Sequence, residues 1–309
     1  MIFVWGVPRD PPVAAVGAAL ARMGTPIFLF DQHDSLAAEM DLCVDGEVNG
    51  VLHLPCGNAD LAKISGVYVR PYETSRFPAV AQAPPALQRR VAELDEAILS
   101  WLAVTPARVV NQPAAMSSNH SKPYQSMLIQ AQGFDVPVTL VTTDRTAVEA
   151  FLEKYGQIIY KSISGIRSIV TCVKASHRER FANLSNCPTQ FQQWIPGTDF
   201  RIHVVGNDVF ACKVASSAID YRYPRSEDEI PEIQPCKLPT DLADRCRQLA
   251  ASMSLLVAGI DLRRTPDGHW FCFEVNPSPG FTYFEQPADH TIADSIARLL
   301  VGKASVPTC

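Results

Sequence analysis

No two of the nine cysteines in this chain form a Cys-x-x-Cys pair, and their number is odd, so their spacing suggests no disulfide framework. Cys43, Cys56, Cys172, Cys187, Cys212, Cys236, Cys246, Cys272 and Cys309 are expected to be reduced, most of them as small core residues. Positive charge is not in excess. Lysine and arginine number 27 against 32 aspartates and glutamates, a net charge of −5 with a pI of about 5.8. That balance supplies no global basic field for nucleic acid or an anionic membrane, although local basic sites stay open. Long apolar runs are missing too. The opening MIFVWGV is interrupted by Arg9, Asp10, Pro11 and Pro12 before a signal-peptide core forms, and no later run is long enough to span a bilayer. The expectation is a cytoplasmic protein with neither a membrane nor a nucleic acid as partner. No internal repeat occurs, and the acidic cluster Glu227, Asp228 and Glu229 reads as a solvated loop.

With 309 residues, 47% of them hydrophobic and 19% charged, the chain is long enough for a sizeable core divided into two or three subdomains. Apolar runs at residues 2–7 and 27–30 flank an Ala-rich helical pattern at 13–23, a β-α-β beginning. It lacks the Gly-x-Gly-x-x-Gly turn of a dinucleotide site, so it reads as scaffold or as a wall of an acceptor site. A short strand at 66–70 ends in Arg70, which either faces a substrate carboxylate or is solvated. After a Pro-rich loop at 77–85, residues 86–102 read as a helix, and a boundary falls at 110–119. A second unit follows, with helices at 121–132, closed by Gly133, and at 146–155, and strands at 138–141, 158–161 and 169–173. Beyond Phe191 the pattern is mostly strand, including a hairpin of 200–205 and 209–214 around Gly206, Asn207 and Asp208. Helices are expected at 238–256 and 291–300.

The stretch GIDLRRTPDGHWFCFEVNPSPGFTYFE, residues 259–285, carries the most chemistry. Strands at 258–264 and 269–275 are joined by Thr265, Pro266, Asp267 and Gly268, which supply turn chemistry. Glu274 and Asn276 are two apart and share a face, and Asp261 can sit opposite them. Two carboxylates and an amide oxygen suit Mg2+, which takes one or two carboxylates plus substrate phosphates. An ordinary surface hairpin is the other reading. Lys161 closes a strand and precedes Ser162, Ser164 and Gly165, small residues whose backbone amides can approach an anion; Lys122 opens a helix. Either lysine alone is more often a solvated surface charge, and it is the acidic hairpin beside them that favours phosphate. In FQQWIPGTDFR, residues 191–201, backbone groups of Gln193 and Ile195 can read an adenine edge, Trp194 can cover it, and Asp199 can accept hydrogen bonds from ribose hydroxyls. Arg201 and Lys213, on neighbouring strands, either stabilise charge on a transferring phosphate or are exposed sheet cations. Asp220 and Arg222 are read as an ion pair or as substrate contacts.

The ordered set Lys122, Lys161, FQQWIPGTDFR, Lys213, GIDL and EVNP resembles an ATP-grasp ligase. Within that superfamily, VNQPAAMSSNHSKPYQ, VPVTLVTTD, AIDYR and the TPDG turn resemble the ligases that modify microviridin-type ribosomal peptides and, more distantly, the ribosomal-protein glutamate ligases. The resemblance implies an α/β (α+β) ATP-grasp fold in three parts. These are an N-terminal β-α-β domain at 1–110, a central lid at 111–190 and a C-terminal antiparallel catalytic sheet at 191–309. It implies ATP with Mg2+, or Mn2+ in its place. Lys122, Lys161, Ser164 and Gly165 would meet phosphates, Gln193 and Ile195 adenine, Asp199 ribose, and Asp261, Glu274 and Asn276 the metal. Arg201 and Lys213 would line the reaction centre. Three features depart from the family pattern: SISGIRS is less Gly-rich, with Arg167 available to phosphate; Gln193 stands where glutamate is common; and the NPSPGFTYFE ending differs.

The expected activity is an ATP-dependent carboxylate–amine ligase that works through an acylphosphate and releases ADP and phosphate, forming an amide or less often an ester. Its substrates would be a small-molecule carboxylate and amine. One alternative is a ligase acting on a ribosomal peptide or protein side chain, with the acidic loop as docking surface; another is a non-catalytic nucleotide-binding regulatory protein. Retention of the metal-type ligands and both cations argues against the last.

Overall fold

The computed structural model describes residues 1–163, 170–216, 230–285 and 291–302, the side chain of His120 excepted. The chain starts with β1 (Ile2–Gly6), α1 (Pro11–Arg22) and β2 (Ile27–Asp31). It continues through β3 (Glu39–Asp45), β4 (Glu47–Leu54), β5 (Gly57–Asp60), β6 (Gly66–Arg70), α2 (Pro78–Ala81), α3 (Pro85–Val104) and β7 (Arg108–Val110). The first sheet is parallel in the order β2-β1-β6-β7, as the β-α-β beginning requires. Every residue of β1 is buried because the sheet is covered on both faces. Ile2 and Val4 pack with Val13, Val16 and Leu20 of α1, while Phe3 and Trp5 pack with Leu94, Ile98 and Trp101 of α3. Pro11 and Pro12 occupy the first turn of α1, where a missing N–H costs nothing. The small antiparallel sheet β3-β4-β5 was not anticipated. Its strands are mostly exposed or half-buried: Leu52, Leu54 and Ala59 are buried in the core beside Trp5, and Met40 and Val48 pack against it only in part, so its apolar signal is weak.

The middle of the chain holds α4 (Pro113–Met116), α5 (Lys122–Ala131), β8 (Thr139–Thr142), α6 (Arg145–Tyr155), β9 (Ile158–Lys161), β10 (Thr171–Cys172), a 3-10 segment at Ala175–Asn186, and β11 (Thr189–Gln193). Ser121 caps α5 by accepting from the Tyr124 amide, and Gly133, at φ +76°, follows its end. The sheet is antiparallel in the order β10-β9-β11-β8. Ile158 and Phe191 turn to Val148 and Phe151 of α6 and to Phe181 and Leu184 of the 3-10 segment. Alternation sends Ile159, Lys161, Gln190 and Gln192 to the other face.

The last part comprises β12 (Thr198–Val205), β13 (Asp208–Ala215), β14 (Glu232–Cys236), α7 (Thr240–Ser252), β15 (Val257–Arg264), β16 (Trp270–Asn276) and α8 (Ile292–Leu300). Its five strands are antiparallel in the order β14-β13-β12-β15-β16. One face buries Ile202, Val204, Ile260, Leu262 and Val275 against Leu242, Cys246 and Leu249 of α7 and Ile129 of α5. Each such side chain contributes about 1.5–3 kcal/mol on burial. The helix expected at 238–256 is shorter at both ends, since Ser254 takes φ 56° and turns the chain into β15. Four of the eight described cysteines are buried, and Cys43, Cys56 and Cys187 are exposed thiols. No described helix is long and apolar enough to cross a membrane.

Candidate active site

The other face of the C-terminal sheet is polar. Residues directly opposite each other in an antiparallel pair share a face. Arg201 pairs with Asp261 and Asp261 pairs with Glu274, so a cation and two carboxylates form one row across β12, β15 and β16. Gly259 pairs with Asn276 in the next row. The register shifts between Asp261 and Leu262, which leaves Phe273 as an extra residue in β16. That bulge puts Cys272 into the core opposite Leu262 while Glu274 stands beside Asp261.

Arg201 donates from Nη1 to Asp261 Oδ1 at 2.7 Å and from Nε toward His203 Nε2 at 3.4 Å, and lies over the Phe284 ring. The ion pair is largely out of water, with side-chain exposures of 7% and 18%. His203 is fully buried beside this guanidinium, and burial first, then the nearby positive charge, pushes its pKa well below the usual 6.5. It is therefore a neutral acceptor. A Cβ on Gly259 would collide with Nη2 of Arg201 and lie 2.7 Å from Pro279 Cβ, so glycine is required for the guanidinium to lie across this strand.

The donor set fits Mg2+. Asp261 and Glu274 are cross-strand neighbours, and the Asn276 amide oxygen is oriented by accepting the Ser278 amide at 2.9 Å. Two carboxylates and an amide leave the remaining octahedral positions to water and phosphate. Among the described residues no cluster of three His, Cys, Asp or Glu side chains competes with this site.

Lys213 does not join the row. It pairs with Phe200, whose alternation assigns it to the α7 face, whereas Arg201 pairs with Cys212. The Lys213 side chain is exposed. The structure thus separates the two cations that the sequence suggested together, because one residue of register exchanges the faces of a strand.

Where the chain crosses from β11 to β12, the Gln193 amide donates to the Val138 carbonyl at 2.9 Å and the Trp194 amide to that of Gln157 at 3.0 Å. Ile195 is buried and its carbonyl accepts from Arg263 Nη1 at 2.8 Å. Arg263 also grips Asp199 through Nε to Oδ1 at 2.7 Å and Nη2 to Oδ2 at 2.8 Å. Its guanidinium stacks on Trp194 at 5.0 Å and Phe273 at 5.2 Å. Sequence reasoning missed Arg263, although it stands two residues after Asp261 and so shares its face. On the sheet of β8 to β11, Lys161 Nζ donates to Gln192 Oε1 at 3.4 Å, and Gln192 Nε2 donates to Thr139 Oγ1 at 3.1 Å. Lys122 is the first residue of α5, whose Gln125 is bonded to Val275 of β16.

Arg70 is not a solvated arginine. It forms an ion pair with buried Asp10, and its Nη1 reaches Ser278 O at 3.0 Å, Ser278 Oγ at 2.9 Å and Pro279 O at 3.2 Å. The parallel sheet thereby touches the loop that follows Asn276. Asn111 makes a second junction, accepting the Leu256 and Val257 amides and donating to the Val257 and Pro277 carbonyls. Ser164, Gly165, Arg167, Asp220, Arg222 and the acidic cluster at 227–229 lie outside the described residues.

Residues 119–300 match the model of the RimK-like ATP-grasp domain. No curated protein sequence matches the chain. Solved structures do. The macrocyclase MdnC from Microcystis aeruginosa MRC, bound with precursor peptide MdnA, is 23% identical with a TM-score of 0.82, covering 97% of this chain and 99% of that one. A Chryseobacterium gregarium RiPP-associated ATP-grasp ligase, in complex with ADP and a leader and core peptide, is 21% identical with a TM-score of 0.84 over 99% and 97% of the two chains. The ATP-grasp ligase PsnB, complexed with minimal precursor, is 25% identical with a TM-score of 0.79 over 98% and 99%.

Proposed function

The chain belongs to the RimK-like ATP-grasp family, and from that premise we propose that it activates a carboxylate with ATP and passes the acyl group to an amine, or to a hydroxyl. The observation that carries this reading is the row Arg201, Asp261, Glu274 on the open face of the C-terminal sheet. The substrate carboxylate attacks the γ-phosphorus, the bond to ADP breaks and an acylphosphate results. The nucleophile then attacks the acyl carbon, phosphate leaves with the bonding electrons, and a proton is lost from the nucleophile. No side chain acts as a covalent nucleophile; catalysis is positioning and charge stabilisation.

Each residue has a task in this scheme. Lys122 and Lys161 act as point charges on phosphates, with the amides of Ser164 and Gly165 beside them. The Gln193 amide donates within the protein and the Ile195 carbonyl accepts from Arg263, so in this scheme adenine meets the Gln193 carbonyl and the Ile195 amide. Asp199 meets the ribose. Arg201, held by Asp261 and His203, faces the charge that develops on the transferring phosphoryl group. Lys213 receives no role at this centre. Mg2+ bound by Asp261, Glu274 and Asn276 would neutralise phosphate charge. The division into 1–110, 111–190 and 191–309 and a cytoplasmic setting belong to the same proposal.

We take the carboxylate to be a peptide side chain. The near full-length likeness to PsnB, which was solved with a precursor, supports a peptide over a metabolite. ADP release from Mg-ATP is measured with the macromolecular and the small-molecule fractions of a cell extract added separately. Stimulation by the macromolecular fraction is expected; stimulation confined to small molecules returns the reading to a metabolite ligase, and no stimulation by either counts against turnover.

A further inference from the structure

Arg263 uses three nitrogens on two acceptors, the Asp199 carboxylate and the Ile195 carbonyl, and both acceptors belong to residues assigned above to the nucleotide. We propose that Arg263 is a positioning residue that sets ribose selectivity by holding Asp199 in one orientation; this rests on the reading that Asp199 meets the ribose.

The geometry supplies the reasons. Asp199 and Arg263 are directly opposed on β12 and β15, and their two contacts form the parallel fork that a planar guanidinium makes with a carboxylate. Trp194 and Phe273 hold the guanidinium plane, so it cannot turn without losing both rings. The pair is mostly removed from water, with side-chain exposures of 11% and 22%. A carboxylate has roughly four lone-pair sites. The two that Arg263 takes fix the plane and direction of the carboxylate. The third contact, to Ile195, registers that direction against the adenine hinge. A cis-diol presents two donors at fixed spacing, so recognising it needs a carboxylate that cannot rotate. A deoxyribose presents one donor fewer, and a freely turning carboxylate would adapt to either sugar.

Arg263 is also joined to the metal row. It lies two residues after Asp261 on the same strand face, and Phe273, beneath its guanidinium, precedes Glu274. One side chain therefore registers sugar, base and metal ligands against each other. Lysine cannot reproduce this, because an ammonium lacks the fork and cannot hold both acceptors in one plane.

The test measures dissociation constants of Mg-ADP, Mg-2′-deoxyADP and Mg-3′-deoxyADP with the full chain by calorimetry, for the unaltered protein and for Arg263→Met, Arg263→Lys and Asp199→Asn, each checked for an intact thermal transition. The unaltered protein is expected to favour ADP over a deoxy analogue by about tenfold to a hundredfold, the range of one hydrogen bond to a charged acceptor. Arg263→Met should reduce that ratio to about twofold or less, and Arg263→Lys, which carries the test if the methionine variant does not fold, should leave it below about fivefold. A purely structural role would weaken all three nucleotides alike and keep the ratio, which overturns the proposal. Asp199→Asn separates the two levels of the argument. If it keeps the ratio, the ribose assignment of Asp199 fails and the proposal with it. If it removes the ratio while both Arg263 variants keep it, the assignment stands and the role of Arg263 is wrong.

Discussion

Gln125 and Val275 are joined by two hydrogen bonds, from Gln125 Nε2 to the Val275 carbonyl at 2.8 Å and from the Val275 amide to Gln125 Oε1 at 3.0 Å. The side-chain amide takes the place of a neighbouring strand at the outer edge of β16, beyond the bridge of Phe271 with Asp135, and fastens α5, with Lys122 at its start, to the strand that carries Glu274 and Asn276. Gln125→Met should leave both Val275 groups buried and unsatisfied, at a cost of about 2–4 kcal/mol. Chemical denaturation checks the loss, and the KM for ATP should rise as Lys122 loses its register against Asp261 and Glu274.

Glu274→Gln keeps the shape of the hairpin and removes one of the two carboxylates proposed to hold Mg2+. ADP formation should fall by about 100-fold or more, beyond the loss typical of outer-shell changes at metal sites, with the thermal transition retained. Activity within a factor of about two of the unaltered protein would remove Glu274 from the metal site.

Gly259→Ala should displace the Arg201 guanidinium, since the added methyl occupies its place and presses on Pro279. The expected effects are a destabilisation of about 1–3 kcal/mol and a fall in kcat larger than the change in KM for ATP. Steady-state kinetics beside a melting curve separates the two.

His203 is held neutral in the fold, while in the unfolded chain it titrates near 6.5. Below that pH the unfolded state binds the extra proton and the folded state does not, so stability falls as pH drops from 6.5 toward the depressed folded value, and the contribution is flat above it. Melting temperatures from pH 8 to 5 should show this slope, and His203→Gln should reduce it. An unchanged slope would assign the acid sensitivity to other groups.

Much of the candidate site's arrangement was legible because it is local. The hairpin of β15 and β16 follows from two apolar-patterned segments around TPDG, and the opposition of Asp261 and Glu274 follows from closing that hairpin. The β-α-β start and the hairpin of β12 and β13 were readable for the same reason, as short-range pattern and turn chemistry determine them. Recognition of the family rested on segments whose order along the chain needs no folding to be read.

What the sequence left open involves partners far apart in the chain. Alternation alone would put Cys272 on the same face as Glu274; the bulge at Phe273 sends it into the core, because packing against α7 and a place beside Asp261 cannot both be served by a regular strand. Lys213 lost its place beside Arg201 through the register of β12 with β13. Arg70 acquired Asp10 and Ser278, 60 and 208 residues distant, so a surface charge became a junction between sheets. Arg263 gained its role only when β12 brought Asp199 opposite it and the hinge brought Ile195 within reach. Residue type and spacing determine which groups a strand offers to each side, whereas the partner that each group meets is decided by the packing of whole layers, whose register no single segment encodes.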